Sequence, residues 1–161
     1  MVKMKLYNNF NVKKNHKNSI ILIGNFDGLH LGHQKLFRLA KKYKKKYSSK
    51  IGVLTFEPMP KMFFNPILKN FRLSNLNQKI ENLGKLNVDF VIIKKFNSIF
   101  SKTKSISFIK KILGKKLNPK FIFVSNNFKF GNKREGNVKQ LIKYEKLCKY
   151  KIIKPQPLSI K

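Results

Sequence analysis

The stretch "SIILIGNFDGLHLGHQKLFRLAKKY", Ser19 to Tyr43, constrains the fold more than any other part of the chain. Ser19 to Ile23 is a short, largely β-branched apolar run closed by Gly24. An uninterrupted apolar run of this length reads as a strand buried on both faces. From Gly32 to about Tyr47 the pattern changes: Leu36, Leu39, Ala40 and Tyr43 recur at helical spacing. A buried strand that turns on glycines straight into a helix is the opening of a β-α-β unit, and the chain repeats the theme. Further strands are predicted over Ile51–Phe56, Asp89–Ile93, Lys120–Ser125 and Tyr150–Ile153. Further helices are predicted over Ser74–Leu86, with Ser74 as N-cap, over Ser105–Leu113, ended by Gly114, and over Val138–Leu147. "EPMPKMFFNP" brings three prolines together and reads as a loop, as does the polar stretch Asn126–Asn137 with its two glycines. The expected fold is therefore α/β: a doubly wound, parallel, five-stranded sheet with helices on both faces. In such folds ligands bind at the carboxyl ends of the strands, where strand order reverses.

A length of 161 residues suits one domain with a sizeable core, and residues 1–161 are read as a single unit. The formal net charge of +31 would attract nucleic acid, an anionic membrane or phosphorylated small molecules. Two readings of it stand side by side. Nearly all the cations are Lys, with Arg38, Arg72 and Arg134 the exceptions, and Ile, Asn, Phe and Tyr are abundant while Trp is absent. That set is what an A+T-rich coding sequence gives, and it would clothe a solvated surface. The other reading is a polyanion-binding face, but the guanidinium fork favoured for base and phosphate recognition is scarce, so no specific nucleic acid is expected. Cys148 is the single cysteine, which fits a reducing cytosol. No apolar run approaches the roughly 18 residues that span a membrane. Met1 to Asn18 lacks the apolar core of a signal peptide, and a cytoplasmic protein is expected.

Two of the three histidines fall within "GNFDGLHLGH", residues 24 to 33. Gly24 and Gly28 allow tight turns and close ligand approach. His30 and His33, three apart at a helix entrance, can project toward the same side. Backbone N–H groups and the helix dipole favour an anion there, and two imidazoles could donate to phosphate oxygens. The pair could instead cap or pack. Metal ligation would need three or four ligands, for which Cys148 and Asp27 are a poor complement, so no protein metal site is expected. The segment has neither the Gly-Lys-Ser/Thr ending of a P-loop nor the dinucleotide G-x-G-x-x-G.

The same stretch contains the H-x-G-H signature of the nucleotidyltransferase superfamily. In full it resembles the N-terminal FMN adenylyltransferase module of bacterial bifunctional riboflavin kinase/FAD synthetases. "LTFEPMPKMFFNP" is similar to that family's T-F-E-P-H-P loop, and "FVSNNFKFGNKREGN" to its G-x-[DN]-F-x-F-G-x-x-R-x-G segment. "FRLSNLNQKIENLGKLNVDFVIIKKF" is similar to the segment between them, so the likeness runs from Ser19 to Pro157. The resemblance implies a Rossmann-like nucleotidyltransferase fold and transfer of AMP from ATP, with Mg²⁺, to FMN, giving FAD and pyrophosphate. It implies that Gly24, Asn25, Phe26, Asp27, Gly28 and Gly32 shape the ATP cradle and that His30 and His33 hold its phosphates. It places Pro58, Pro60 and Phe64 along the isoalloxazine. Asn127 would hold the reacting phosphates, with Phe128, Phe130, Gly131 and Arg134 around them. From the residues alone, Phe64, Phe128 and Phe130 could equally be core, and Arg134 a solvated charge. Another H-x-G-H nucleotidyltransferase, or a Lys-rich nucleic-acid module on the same fold, are the alternatives. Three departures stand out. Met59 replaces the family histidine, Ser125 replaces a glycine, and "PQPLSIK" ends before the family's Ser-Ser-Thr-x-Ile-Arg segment and kinase domain. The expectation is an adenylyltransferase domain without those parts.

Overall fold

The computed structural model describes residues 3–28, 31–67 and 75–155. Its centre is a parallel sheet of six strands: β1 (Lys5–Tyr7), β2 (Ile20–Ile23), β3 (Ile51–Glu57), β4 (Phe90–Lys95), β5 (Phe121–Phe123) and, last in the chain, β8 (Lys151–Ile153). Their order across the sheet is β1-β4-β3-β2-β5-β8. Every adjacent pair is parallel. The chain winds outward from β2 through β3 to β4, then returns to the other side of β2 for β5 and β8. Strand order therefore reverses between β2 and β5.

Period-two alternation sorts β2 between two cores. Ile21 and Ile23 face one layer with Leu54, Ile92, Phe108, Ile109 and Leu141. Ile20 and Leu22 face the other, with Leu36, Phe37, Ala40 and Leu83. The second layer rests on α1 (Leu31–Tyr47) and α3 (Leu76–Lys85), the first on a π-helix (Phe108–Leu117) and α6 (Val138–Lys143). In the strand centre Gly52 leaves room for a ring: a Cβ there would lie 2.2 Å from Phe90.

The sheet has six strands rather than the expected five. The additional one, β1, carries only three residues, and its own sequence gives no periodicity to read. It forms because the edge of β4 accepts it, Lys5, Leu6 and Tyr7 pairing with Phe90, Val91 and Ile92. A clamp then holds it. The Tyr7 hydroxyl accepts from the Lys13 N–H at 3.0 Å and lies 2.6 Å from His16 Nδ1. The phenol and the imidazole thus share one short hydrogen bond. The His16 ring stacks on Phe90 at 4.3 Å.

Helix ends also depart from expectation. Helix α3 begins one residue after Asn75, whose side chain accepts from the Gln78 N–H while Gln78 reaches back to the Asn75 N–H, a capping box. Ser74 lies outside the described residues. The proline-rich segment holds a short helix, α2 (Pro60–Phe64), with Pro60 at the first position, where a missing N–H costs nothing. Gly114 does not end its helix. α5 (Ser105–Ser107) runs on through the π-helix to Asn118, which takes the left-handed conformation at φ 46°. Gly114 is instead a packing residue, since a Cβ would meet Cys148 Sγ at 3.0 Å. The helix expected over Val138–Leu147 breaks at Tyr144 into α6 and α7 (Glu145–Cys148). Two side chains stabilise the break: the Tyr150 hydroxyl donates to the Leu141 carbonyl at 2.6 Å, and Glu145 accepts from the Ile152 N–H at 2.7 Å. The latter also occupies an open N–H on the edge strand β8. Within Asn126–Asn137 a small hairpin forms from β6 (Lys129–Phe130) and β7 (Gly136–Asn137).

Candidate functional site

The three sequence stretches singled out above follow β2, β3 and β5, which are neighbours in the sheet, and so they leave it at one end. The loop after β2 starts as an extension of the strand, the Gly24 N–H donating to the Leu54 carbonyl at 3.1 Å. It then turns on two residues of positive φ, Phe26 at 51° and Gly28 at 75°. A non-glycine residue pays steric strain in that region; Phe26 is held there because its ring, 2% exposed, packs edge-on against Phe37 and His33 at 5.3 and 5.1 Å. Gly24 passes directly over that ring, with a Cβ position only 3.1 Å from it. The backbone of Phe26 thus shapes the loop while its side chain belongs to the core. Asn25, Gly28 and Gly32 are exposed, and Asp27 and His33 are half-buried. Gly32 and His33 lie in the first turn of the 17-residue helix α1, a turn with no acidic residue. The N-terminus of a helix attracts an anion through its amide dipoles. His30 lies outside the described residues.

Under this loop is a buried cation that the sequence reading missed. Lys79, from α3, is 1% exposed. Its ammonium lies 3.2 Å from Glu57 Oε1 and donates to Thr55 Oγ1 at 3.2 Å. The Thr55 hydroxyl donates in turn to the Asn25 carbonyl at 3.3 Å. Thr55 and Glu57 sit inside the quoted "LTFEPMP" stretch; Lys79 is one lysine among many and only its burial distinguishes it.

Glu57 ends β3 and leads into Pro58 and Pro60. Beyond them Phe64 is 65% exposed, at the rim of an aromatic group: Phe63 and Phe96 lie 5.1 and 5.8 Å from it, ring to ring. Phe56 and Phe100 continue the group into the core. Met59, at the family histidine position, is the N-cap of α2 and makes no side-chain capping bond.

After β5, Ser125, Asn126 and Asn127 are exposed. The Ser125 hydroxyl donates to Asn127 Oδ1 at 3.0 Å, and Asn126 donates to the Pro155 carbonyl at 3.2 Å. Phe128 and Phe130 stack at 5.5 Å, but they are unequal: Phe130 is buried over Gly136 and Phe108, while Phe128 is half-buried at the surface. Gly131, at φ 82°, passes so close to the Ser105 backbone that a Cβ would lie 2.8 Å from it. Arg134 is exposed on the turn between β6 and β7. The structure therefore gathers Gly24–Gly28, Gly32, His33, Pro58, Pro60, Phe64, Asn127 and Phe128 at the carboxyl end of the sheet. It puts the rings of Phe26 and Phe130 in the core.

A parallel doubly wound sheet with a glycine turn feeding a helix N-terminus at the reversal of strand order defines a Rossmann-like α/β fold of the nucleotidyltransferase type. Within that class the chain belongs to the FAD synthetase family, whose model matches residues 12–161. Among curated proteins it is similar to the bifunctional riboflavin kinase/FMN adenylyltransferase of Buchnera aphidicola subsp. Schizaphis graminum, 40% identical over 94% of this chain and 48% of that protein. The protein of the same name from Escherichia coli K12 is 35% identical over 73% of this chain and 38% of its own length. The chain spans about half the length of the first of these relatives. Two solved structures share the fold. One is a Streptococcus pneumoniae chain described as a macrolide-efflux protein, with TM-score 0.80 at 24% identity, over 100% of this chain and 52% of the other. The second is the Francisella tularensis pantoate-beta-alanine ligase, with TM-score 0.57 at 21% identity, over 96% and 69%. No described helix is long and apolar enough to cross a membrane.

Proposed function

We propose that this chain transfers AMP from ATP to FMN, giving FAD and pyrophosphate. The observation that carries the reading is the turn Gly24–Gly28, which delivers the first turn of α1, with His33, to the reversal point beside β5. Family membership and the names of the relatives support the choice of FMN as acceptor. A phosphate oxygen of FMN attacks the α-phosphorus of ATP in line; the new P–O bond forms as the bond to pyrophosphate breaks. No covalent enzyme intermediate is needed, so the residues act by positioning and by stabilising charge. The first-turn amides of α1, His33 and His30 receive the ATP phosphates. Asn127 holds the phosphates that react. Pro58, Pro60, Phe64 and Phe128 form the apolar margin for the flavin ring, and Gly131 and Arg134 shape the outer wall.

Mg²⁺ accompanies the nucleotide. No group of three or more His, Cys, Asp or Glu residues comes together among the described residues. A magnesium ion of this kind is carried chiefly by substrate phosphates and water, with one or two protein carboxylates; Asp27 is the carboxylate in the loop. Residues 1–161 act as one adenylyltransferase unit, and its lone cysteine suits the cytosol.

The test is to incubate the chain with ATP, Mg²⁺ and FMN and to follow FAD by chromatography, beside a His30→Ala/His33→Ala variant. The expected result is FAD from the parent and a loss of at least about a hundredfold in the variant, the scale of removing transition-state donors. Product with a nicotinamide or pantetheine acceptor but not with FMN would overturn the choice of acceptor. RNA binding that falls steeply with salt and ignores both histidines, with no dinucleotide formed, would overturn the enzyme reading.

A further inference from the structure

We infer that Lys79 is a positioning residue that ties the nucleotide loop and the flavin loop to one buried point. The inference rests on the proposed adenylyl transfer. Lys79 acts through two residues of β3. It holds Thr55, whose hydroxyl holds the Asn25 carbonyl, and it holds Glu57, whose next residue is Pro58. Thr55 and Glu57 are alternate residues of β3 and so project to the same face of the sheet, the face covered by α3. One ammonium therefore fixes the level of both loops against the same helix.

The chemistry explains why this position is a lysine. A buried cation is costly unless it is paired and hydrogen-bonded, and an apolar residue of similar length would fill the space at lower cost. Leu83, one turn further along α3 on the same face, is fully buried and needs no polar partner. An ammonium at Lys79 adds what packing cannot. It fixes the orientation of the Thr55 hydroxyl, because an oxygen that accepts from Nζ directs its single proton elsewhere. That proton points to the Asn25 carbonyl, which fixes the peptide plane between Asn25 and Phe26. The Phe26 N–H is the other end of that plane, so Lys79 sets where the loop aims its amides. The Glu57 contact fixes the start of the flavin loop in the same frame. In-line transfer needs the two substrates aligned, and an error of about 1 Å in such alignment costs on the order of a hundredfold in rate.

The experiment compares Lys79→Met, Lys79→Arg and the surface control Lys85→Met in the full chain, with kcat and both KM values for FAD formation. Amide hydrogen exchange of the loop 24–28 is measured alongside. The expected result is a folded Lys79→Met with kcat lowered about tenfold to a hundredfold, and substantial recovery in Lys79→Arg. Lys85→Met should match the parent. If Lys79→Met does not fold, Lys79→Met/Glu57→Gln, which removes both charges, takes its place. A folded variant with kcat within about threefold of the parent would overturn the proposal, as would loss of fold in both variants. If the parent makes no FAD, the functional reading fails but the positioning claim is still decided. Loop amides that exchange at least about tenfold faster in the folded variant, with β4 unchanged, support it, and unchanged loop exchange overturns it.

Discussion

Two buried bases sit on opposite faces of the sheet, and the protein treats them differently. Lys79, under the β2 and β3 loops, pairs with the Glu57 carboxylate and donates to the Thr55 hydroxyl, which donates on to the Asn25 carbonyl. His16, 7% exposed behind the edge strand β1, has a phenol as its polar partner and the face of Phe90 as its floor. One site keeps its charge buried by pairing it; the other has no anion in contact and a surplus of cations nearby. The difference follows from what each region does. On the proposed function, the floor of the β2 loop fixes directions of polar groups, which takes charge. The strap at the sheet edge only has to stay in place, which rings and one neutral hydrogen bond achieve.

The sharpest way to break this contrast is to remove the anion from the charged site. Glu57→Ala takes the Glu57 carboxylate away from the Lys79 ammonium beneath the loop. Losing one partner of a buried pair typically costs about 3–5 kcal/mol, and the 15% exposure of Glu57 puts the expectation near the lower end of that range. Urea unfolding would read it. A cost below about 1 kcal/mol would mean that Lys79 is served well enough by other groups, and the contrast would lose its basis.

The strap, by comparison, should be sensitive to shape. Gly52→Ala pushes a methyl into the Phe90 ring from one side, and His16 lies stacked on that ring. Overpacking of a fitted core typically costs about 1–3 kcal/mol. The expected loss is about 2 kcal/mol by the same urea measurement, accompanied by earlier hydrogen exchange in β1 than in β5. Equal exchange in the two strands would show that Phe90 does not transmit the strain to the strap.

The same contrast explains how much was legible in the sequence. The site loops were, because each carries a local pattern: glycines at a strand-to-helix turn, prolines after a strand, alternating rings before Gly131. The three loops do come together, since β3, β2 and β5 are adjacent. Lys79 was not legible, because burial is a tertiary property and its sequence neighbours look like those of any exposed lysine in a chain with 37 Lys and Arg. β1 was missed for the same reason: three residues have no period, and β4 decides that they pair. The acids make the point from the other side. With only six of them, Glu57, Asp89, Glu135 and Glu145 each hold a buried cation or a backbone N–H. None of those pairings is visible from spacing, as the partners lie from 7 to 38 positions away.

The smallest effect is the one with a distinct pH signature. Burial lowers the pKa of His16 from its ordinary value of 6.5. The cations Lys50, Lys13 and Lys5 lower it further, and Asp89 opposes them. In the unfolded chain the imidazole takes up a proton near pH 6.5; in the folded chain it resists protonation to lower pH. The unfolded state therefore binds more protons in the window below 6.5, and stability must fall as pH falls through it. Above that window the contribution is fully present. Stability is therefore expected to be lower at pH 5.5 than at pH 7.5, read by urea unfolding at the two pH values. Tyr7→Phe should lower stability at pH 7.5 by about 1 kcal/mol, the scale of one hydrogen bond, whereas His16→Phe should remove the slope in this window. A slope that persists undiminished in His16→Phe would assign it to another group, and the strap would then owe nothing to the neutral state of its histidine.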